Sequence, residues 1–261
     1  MRLDELTVEQ LVSAPPSTVY RYLTESAKWA MWQGETVSID ARPGGRFSMG
    51  SDEGRADERP AHEVDVRPLR FGRTPVTNME YAWFLALGRV PEPPWWKDPV
   101  FWGPDQPVVG VTWFEATAYC YWLSETLGGH WRLPTEAEWE HGARGGLDAA
   151  RTSWGDEIPR GEIPEAPLSG PWPVGRGTAN GYGLLDIGTV VHEWCFDWYA
   201  PDAYRRMRRY DPRGPELGET RVSRGGSWRR HVRDLQPASR SGRPPHARAA
   251  DCGFRVVREV P

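Results

Sequence analysis

Arg132-Leu133-Pro134-Thr135-Glu136-Ala137-Glu138-Trp139-Glu140 carries a helix start spelled out in four residues. Thr135-Glu136-Ala137-Glu138 fits the capping box, in which the Thr hydroxyl accepts from the amide three residues on and the Glu carboxylate accepts from the amide of the Thr itself. The spacing predicts a helix that presents Trp139 and Ala143 before Gly145-Gly146. The same signal stands twice upstream. Thr77-Asn78-Met79-Glu80 precedes Tyr81, Phe84 and Leu85 and leads to Gly88. Thr112-Trp113-Phe114-Glu115 opens the clearest helix, because Trp113, Ala116, Cys120, Leu123 and Leu127 recur at three- and four-residue steps and form one apolar stripe. Gly128-Gly129 ends it.

Outward from these helices the chain changes character. Val108–Val111, Arg221–Trp228 and Gly253–Arg258 read as short strands, while Pro91–Pro107 and Ile158–Gly175 are Pro-rich and irregular. With Gly 28, Pro 25 and Trp 15 in 261 residues, many turns and an aromatic-rich core are expected. A hydrophobic share of 39% with 26% charged residues describes a chain that folds. The N-terminal MRLDELTVEQ has no apolar signal region, and no stretch approaches the ~18 apolar residues of a membrane span. Cys120, Cys195 and Cys252 are too widely spaced for a zinc pattern or a disulfide framework, and are expected as buried free thiols in a reducing compartment. A cytoplasmic location without a membrane partner follows as the expectation.

The net charge of −4 hides an asymmetry: Ala203–Arg258 holds 15 Arg and 5 acids, a local net of +10, against −13 over residues 1–202. Either the basic end packs on the acidic remainder through ion pairs, or it forms a face for an anionic ligand. Nucleic acid is disfavoured as a partner by the negative total and the lack of a binding module.

The first 43 residues read as a separate N-terminal helical extension, with a capping box at Thr7–Gln10 and Val19, Tyr20 and Leu23 at helical spacing. From Ala14 to Phe47 the run looks like the opening of the START-like family that includes the activator of Hsp90 ATPase homologues, which alone would suggest a chaperone-linked adaptor.

From Gly44 to the C-terminus (residues 44–261) a more specific resemblance takes over. Gly44-Gly45-Arg46-Phe47-Ser48-Met49-Gly50-Ser51, Glu58-Arg59-Pro60-Ala61-His62, Thr74-Pro75-Val76-Thr77-Asn78, Val109–Trp113, Arg132–Glu140, Asn180–Leu184, His192-Glu193-Trp194, Asp197-Trp198-Tyr199, Arg224-Gly225-Gly226-Ser227-Trp228 and Gly253-Phe254-Arg255 follow in an order similar to the formylglycine-generating enzyme, or sulfatase-modifying factor, family. The resemblance implies an α+β fold, a variant of the C-type lectin fold with little regular secondary structure. It also implies a copper oxidase whose two cysteines lie three and eight residues after the Ser of Gly-Gly-Ser. Here those positions are Arg230 and Leu235, and no Cys occurs between Trp228 and Asp251. Cu(I) requires soft thiolates, and an arginine offers no lone pair, so copper and its oxidase activity are not expected.

The same resemblance implies a structural calcium, with carboxylates from Asp186 and Glu193 and backbone carbonyls from Thr189 and Val191, although Thr189-Val190 stands where the family has Gly-Asn. Arg255 and Arg240 are expected to satisfy buried carbonyls. The segment between Gly-Gly-Ser and Gly-Phe-Arg borders the family's substrate groove, so Trp228, Arg229, Arg230, His231, Arg233, Arg240, Arg243 and His246 become the candidate ligand-binding residues. Two functions remain open. One is a non-catalytic binding module for an anionic small molecule or a peptide or protein ligand, of the kind found as the variable protein of diversity-generating retroelements. The other is a metal-dependent oxidoreductase with a non-cysteine site, for instance iron, built from His231, Asp234 and His246.

Overall fold

The computed structural model of the chain describes residues 36–39, 45–163, 168–229 and 235–260. The expected helices at Thr7–Gln10 and around Val19 lie outside the described residues.

The three capping boxes form as the sequence predicts. Thr77 caps α1 (Asn78–Leu85), Thr112 caps α2 (Trp113–Leu127) and Thr135 caps α3 (Glu136–Arg144), each with its hydroxyl and its third-residue Glu reciprocally bonded. α3 stops at Gly145, which adopts the left-handed conformation at φ +58°. Among the described residues ten strands accompany them in three sheets. β1 (Thr36–Ile39), β4 (Leu69–Gly72), β10 (Val257–Glu259) and β5 (Trp131–Arg132) form one antiparallel sheet in that order. β2 (Gly45–Met49) and β3 (His62–Val66) form a hairpin. β8 (Arg240–Arg243), β7 (Arg221–Arg224), β6 (His192–Trp198) and β9 (Cys252–Gly253) form the third sheet, with β9 parallel to β6. Thr36–Ile39 precedes the boundary drawn at residue 44 and pairs over four positions with the strand Leu69–Gly72.

Two sequence expectations about strands are corrected. Val108–Val111 pairs with no strand among the described residues: the Val108 amide donates to the Val76 carbonyl, the Gly110 amide is shared between the Ala249 and Cys252 carbonyls, and Gly110 at φ +74° breaks the extended run. The run Gly253–Arg258 splits into β9 and β10 because the chain crosses there from one sheet to another, with Arg255 at the crossing.

The core is aromatic where α1 meets α2: Tyr81 stacks on Tyr119 at 5.6 Å, and Phe84 meets Tyr119 edge-on at the same distance. A second interior is ionic. Glu136 and Glu140, one turn apart on α3, both point inward and are essentially fully buried. Arg240 donates to both oxygens of Glu136 at 2.6 and 2.7 Å, Arg144 to Glu140 at 2.6 Å, and Arg224 bridges the two carboxylates. Further donors reach main-chain oxygens, Arg224 those of Pro237 and Ala238, Arg240 those of Asp57 and Ala200, and Arg144 that of Gly50, while Arg224 Nε is left without a partner among the described residues. Burial alone would raise the Glu140 carboxyl, but Arg144 and Arg224 hold it below its ordinary range. The basic C-terminal segment thus packs into the acidic remainder through buried pairs, and Arg240 belongs to this interior.

Asp197 adjoins this ionic interior and accepts from the Glu136 amide at 2.8 Å, while its Oδ1 has no partner among the described residues. Burial, reinforced by Glu136, pushes its carboxyl up to about 8. The folded state therefore holds a proton that the unfolded chain releases near pH ~4, and stability is lost as pH rises from there to about 8. Asp197→Asn should remove this slope: urea titrations from acid to alkaline pH should show the variant gaining on the wild type by up to about 1.4 kcal/mol per pH unit. Parallel pH profiles would contradict the assignment.

Candidate functional site

The turn after β7 is built by close backbone approach. Gly225, at φ +78°, lies against Gly188 so tightly that a Cβ would come within 2.6 Å of the Gly188 Cα, and the Gly226 amide donates to the Gly188 carbonyl. This is why the strand expected to run to Trp228 ends at Arg224. His192 Nδ1 meets the Gly225 carbonyl at 2.5 Å.

Trp228 is no open platform, which corrects the sequence expectation. It is 8% exposed, its Nε1 donates to the Ala250 carbonyl, and it packs with Val109, Trp172, Val190, Val191 and Ala250. It serves instead as a floor, with the Arg229 guanidinium 4.8 Å from its ring centroid. Arg229 reaches one oxygen of Asp251 at 3.5 Å, and Arg243 approaches the other at 3.7 Å. Arg243 also donates to Ser223 Oγ at 3.1 Å, and that hydroxyl lies 2.9 Å from Ser241 Oγ. Arg229, Arg243, Asp251 and the two serines therefore make one polar rim in which two guanidinium groups share a single carboxylate.

Of the other candidates, Arg240 is buried in the ionic interior and lines no groove, a second correction. Its spacing resembled that of its exposed neighbours, and only the inward carboxylate of Glu136 explains its burial. His246 is exposed on the turn after Pro244-Pro245 and does not join the rim contacts. Arg230, His231, Arg233 and Asp234 lie outside the described residues. Asp251, Ser223 and Ser241 were missed in the sequence. Asp251 was findable, because it and Asp234 are the only acids between Arg224 and Arg258.

Leu235, at the second position where the resembling oxidases carry cysteine, is buried at 7% exposure. Cys120, Cys195 and Cys252 are free, buried thiols. Burial raises the Cys252 thiol to about 12, and the other two are raised as well, so none is a ready thiolate.

The four residues proposed for calcium do not fit that ion as arranged. Glu193 accepts from Arg255 on both oxygens, at 2.6 and 2.9 Å, and from Trp139 Nε1 at 2.8 Å. Arg255 further donates to the carbonyls of Gly72, Arg73 and Leu185, the structural task expected of it. Asp186 is left as the remaining carboxylate; burial raises it, and its Oδ2 accepts from the Gly175 amide at 2.6 Å. A guanidinium already neutralises the position, and a divalent ion would have to displace it. Among the described residues no group of three or more His, Cys, Asp or Glu is disposed to hold a metal ion, and no helix is long and apolar enough to cross a membrane.

Residues 32–260 match the sulfatase-modifying factor enzyme 1-like domain family. A formylglycine-generating enzyme from Thermomonospora curvata is 35% identical, over 83% of this chain and 92% of its own. Among solved structures, PvdO from Pseudomonas aeruginosa superposes with a TM-score of 0.73 at 27% identity, covering 84% of this chain and 92% of that one. Treponema denticola variable protein 1 superposes with a TM-score of 0.70 at 26% identity, covering 85% and 94%.

Because Arg255 occupies the place of a cation at Glu193, chelation with EGTA should leave the thermal midpoint unchanged. A midpoint that rises with calcium and falls on chelation would show that an ion displaces the arginine.

Proposed function

Since the chain belongs to the sulfatase-modifying factor enzyme 1-like family, we propose that it uses that scaffold as a binding module for an anionic ligand rather than as a copper-dependent thiol oxidase. The observation that carries this reading is the rim after β7. The buried arginines of the basic C-terminal segment each meet a carboxylate, Arg224 and Arg240 on α3 and Arg255 on Glu193, and half-buried Arg248 meets both oxygens of Glu115. At the rim, Asp251 is the one carboxylate that Arg229 and Arg243 meet among the described residues, and the Arg229 side chain is 55% exposed. A partly desolvated pair of guanidinium forks with one excess positive charge, floored by an indole, suits a carboxylate or phosphate group.

Sequence supports the second half of the reading. No cysteine lies between Trp228 and Asp251, so the soft ligands that Cu(I) needs are missing from the segment that carries them in the oxidases it resembles. The likeness to Treponema denticola variable protein 1 supports a use of this scaffold other than copper-dependent oxidation. Free, buried thiols suit a reducing cytoplasm.

The test is calorimetric titration of the full chain with an oligoglutamate peptide at low and high salt. Saturable binding that weakens with salt is expected, and Arg229→Ala with Arg243→Ala should reduce affinity by about tenfold, at roughly 0.5–1 kcal/mol per exposed contact. Affinity that ignores both substitutions, or O₂-dependent conversion of a thiol peptide by the purified protein, would overturn the proposal.

A further inference from the structure

The connection between β6 and β7 encloses a cavity of about 480 Å³, lined by residues between Ala200 and Glu216. It lies at the start of β7, the opposite end from the Gly225–Arg229 turn. Its wall is held open at two places. On one side it is pinned to β3: the Asp65 amide donates to the Arg209 carbonyl at 2.8 Å, the Asp211 amide donates to the Asp65 carbonyl at 2.9 Å, and Arg209 Nε donates to the Asp65 carboxylate at 2.6 Å. Arg67 closes the same corner, donating to Asp211 through its amide at 2.8 Å and through its side chain at 2.6 Å. On the other side Gly214, at φ +66°, lies so close to Asp197 and the Trp198 carbonyl that a Cβ would come within 3.1 Å of them. The space between is shaped by the loop's own backbone, as preformed ligand sites are.

The charges lining it are unequally engaged. Asp211 is held by Arg67, and Arg206 by Asp202 at 2.6 Å. Arg208 has no hydrogen-bond or ion-pair partner among the described residues, and Arg213 only lies 5.8 Å from the Phe196 ring. The remaining acid of the lining is Glu216, which leaves two guanidinium groups against one carboxylate. Beside them stands Tyr210, 70% exposed, with the Arg209 guanidinium 5.6 Å from its ring centroid. Ala203, Met207, Pro212 and Pro215 supply apolar wall.

We propose that this cavity is a second binding site, for a small molecule that carries a carboxylate or phosphate on an aromatic ring. Arg208 and Arg213 grip the anion through their planar donor forks, and the ring lies against Tyr210 and Met207. The volume is that of a small-molecule pocket and too small for a folded partner.

The experiment titrates the full chain with 1-naphthoate and with 1-naphthyl phosphate, which separate carboxylate from phosphate recognition, followed by calorimetry and by amide shifts of residues 200–216. Inorganic phosphate and 1-naphthol supply charge and ring alone. At least one naphthyl anion should bind saturably, more tightly than either control. Arg208→Ala with Arg213→Ala should weaken it by about tenfold and Tyr210→Ala by several-fold, in line with one or two lost contacts of roughly 1 kcal/mol each. Both positions are exposed, so the variants should keep the wild-type thermal midpoint. Arg229→Ala with Arg243→Ala should leave this binding unchanged, which separates the cavity from the rim. No saturable binding of either anion, binding equal to that of the controls, or affinity lost with Arg229 and Arg243 instead of Arg208 and Arg213 would overturn the proposal.

Discussion

Two carboxylates one helical turn apart, Glu136 and Glu140, hold this fold together by drawing arginines out of the C-terminal half of the chain. Arg224 and Arg240 come from neighbouring strands, and Arg144 from the same helix; all are buried with their carboxylates. A charge removed from water is tolerated only where its donors and acceptors are nearly all met. That requirement dictates much around it. β7 must bring Arg224 to α3, residues 237 and 238 must turn their carbonyls inward, and Gly50 must offer both its amide and its carbonyl. A loop-rich chain with short sheets thereby acquires a rigid centre that its modest regular structure would not provide.

The same logic runs through a second pair. Arg255 joins Glu193 on β6 to carbonyls beyond β4, and so ties the third sheet to the first at the point where the chain crosses between them. These pairs neutralise Arg224, Arg240 and Arg255 inside the molecule, and the other described arginines of the basic segment stay partly or fully exposed. Two places outside gather such arginines beside apolar or aromatic surface: the rim around Asp251 and the cavity between Ala200 and Glu216. Where the excess charge can act is therefore a matter of how the arginines outside the interior are grouped. The total of 15 Arg between Ala203 and Arg258 says little about it.

This division also explains what could be read from the sequence. The capping boxes at Thr77, Thr112 and Thr135 were legible because their chemistry is local: four residues contain both donors and both acceptors. The apolar stripe of α2, which carries Cys120, was legible for the same reason, and the burial of Cys195 and Cys252 was expected from residue type. The ordered motifs from Gly44 onward pointed to the family that the comparisons then matched. The burial of Arg240 and Trp228 was not legible because exposure depends on partners far away in sequence. Arg240 answers to Glu136, and Trp228 to Val190 and Ala250. Val108–Val111 looked like a strand because β-branched runs usually pair, yet Gly110 in the left-handed region beside Trp95 prevents it.

The most direct test of the ionic centre is a double-mutant cycle on Glu140→Gln and Arg224→Met, followed by urea denaturation. Each single change strands a buried charge and should cost about 3–5 kcal/mol, while the double change should cost less than the sum by about 2 kcal/mol or more. Single variants that fail to fold beside a double variant that folds would give the same answer. Losses that add to within about 0.5 kcal/mol would show that the two residues do not depend on each other, and would contradict the account.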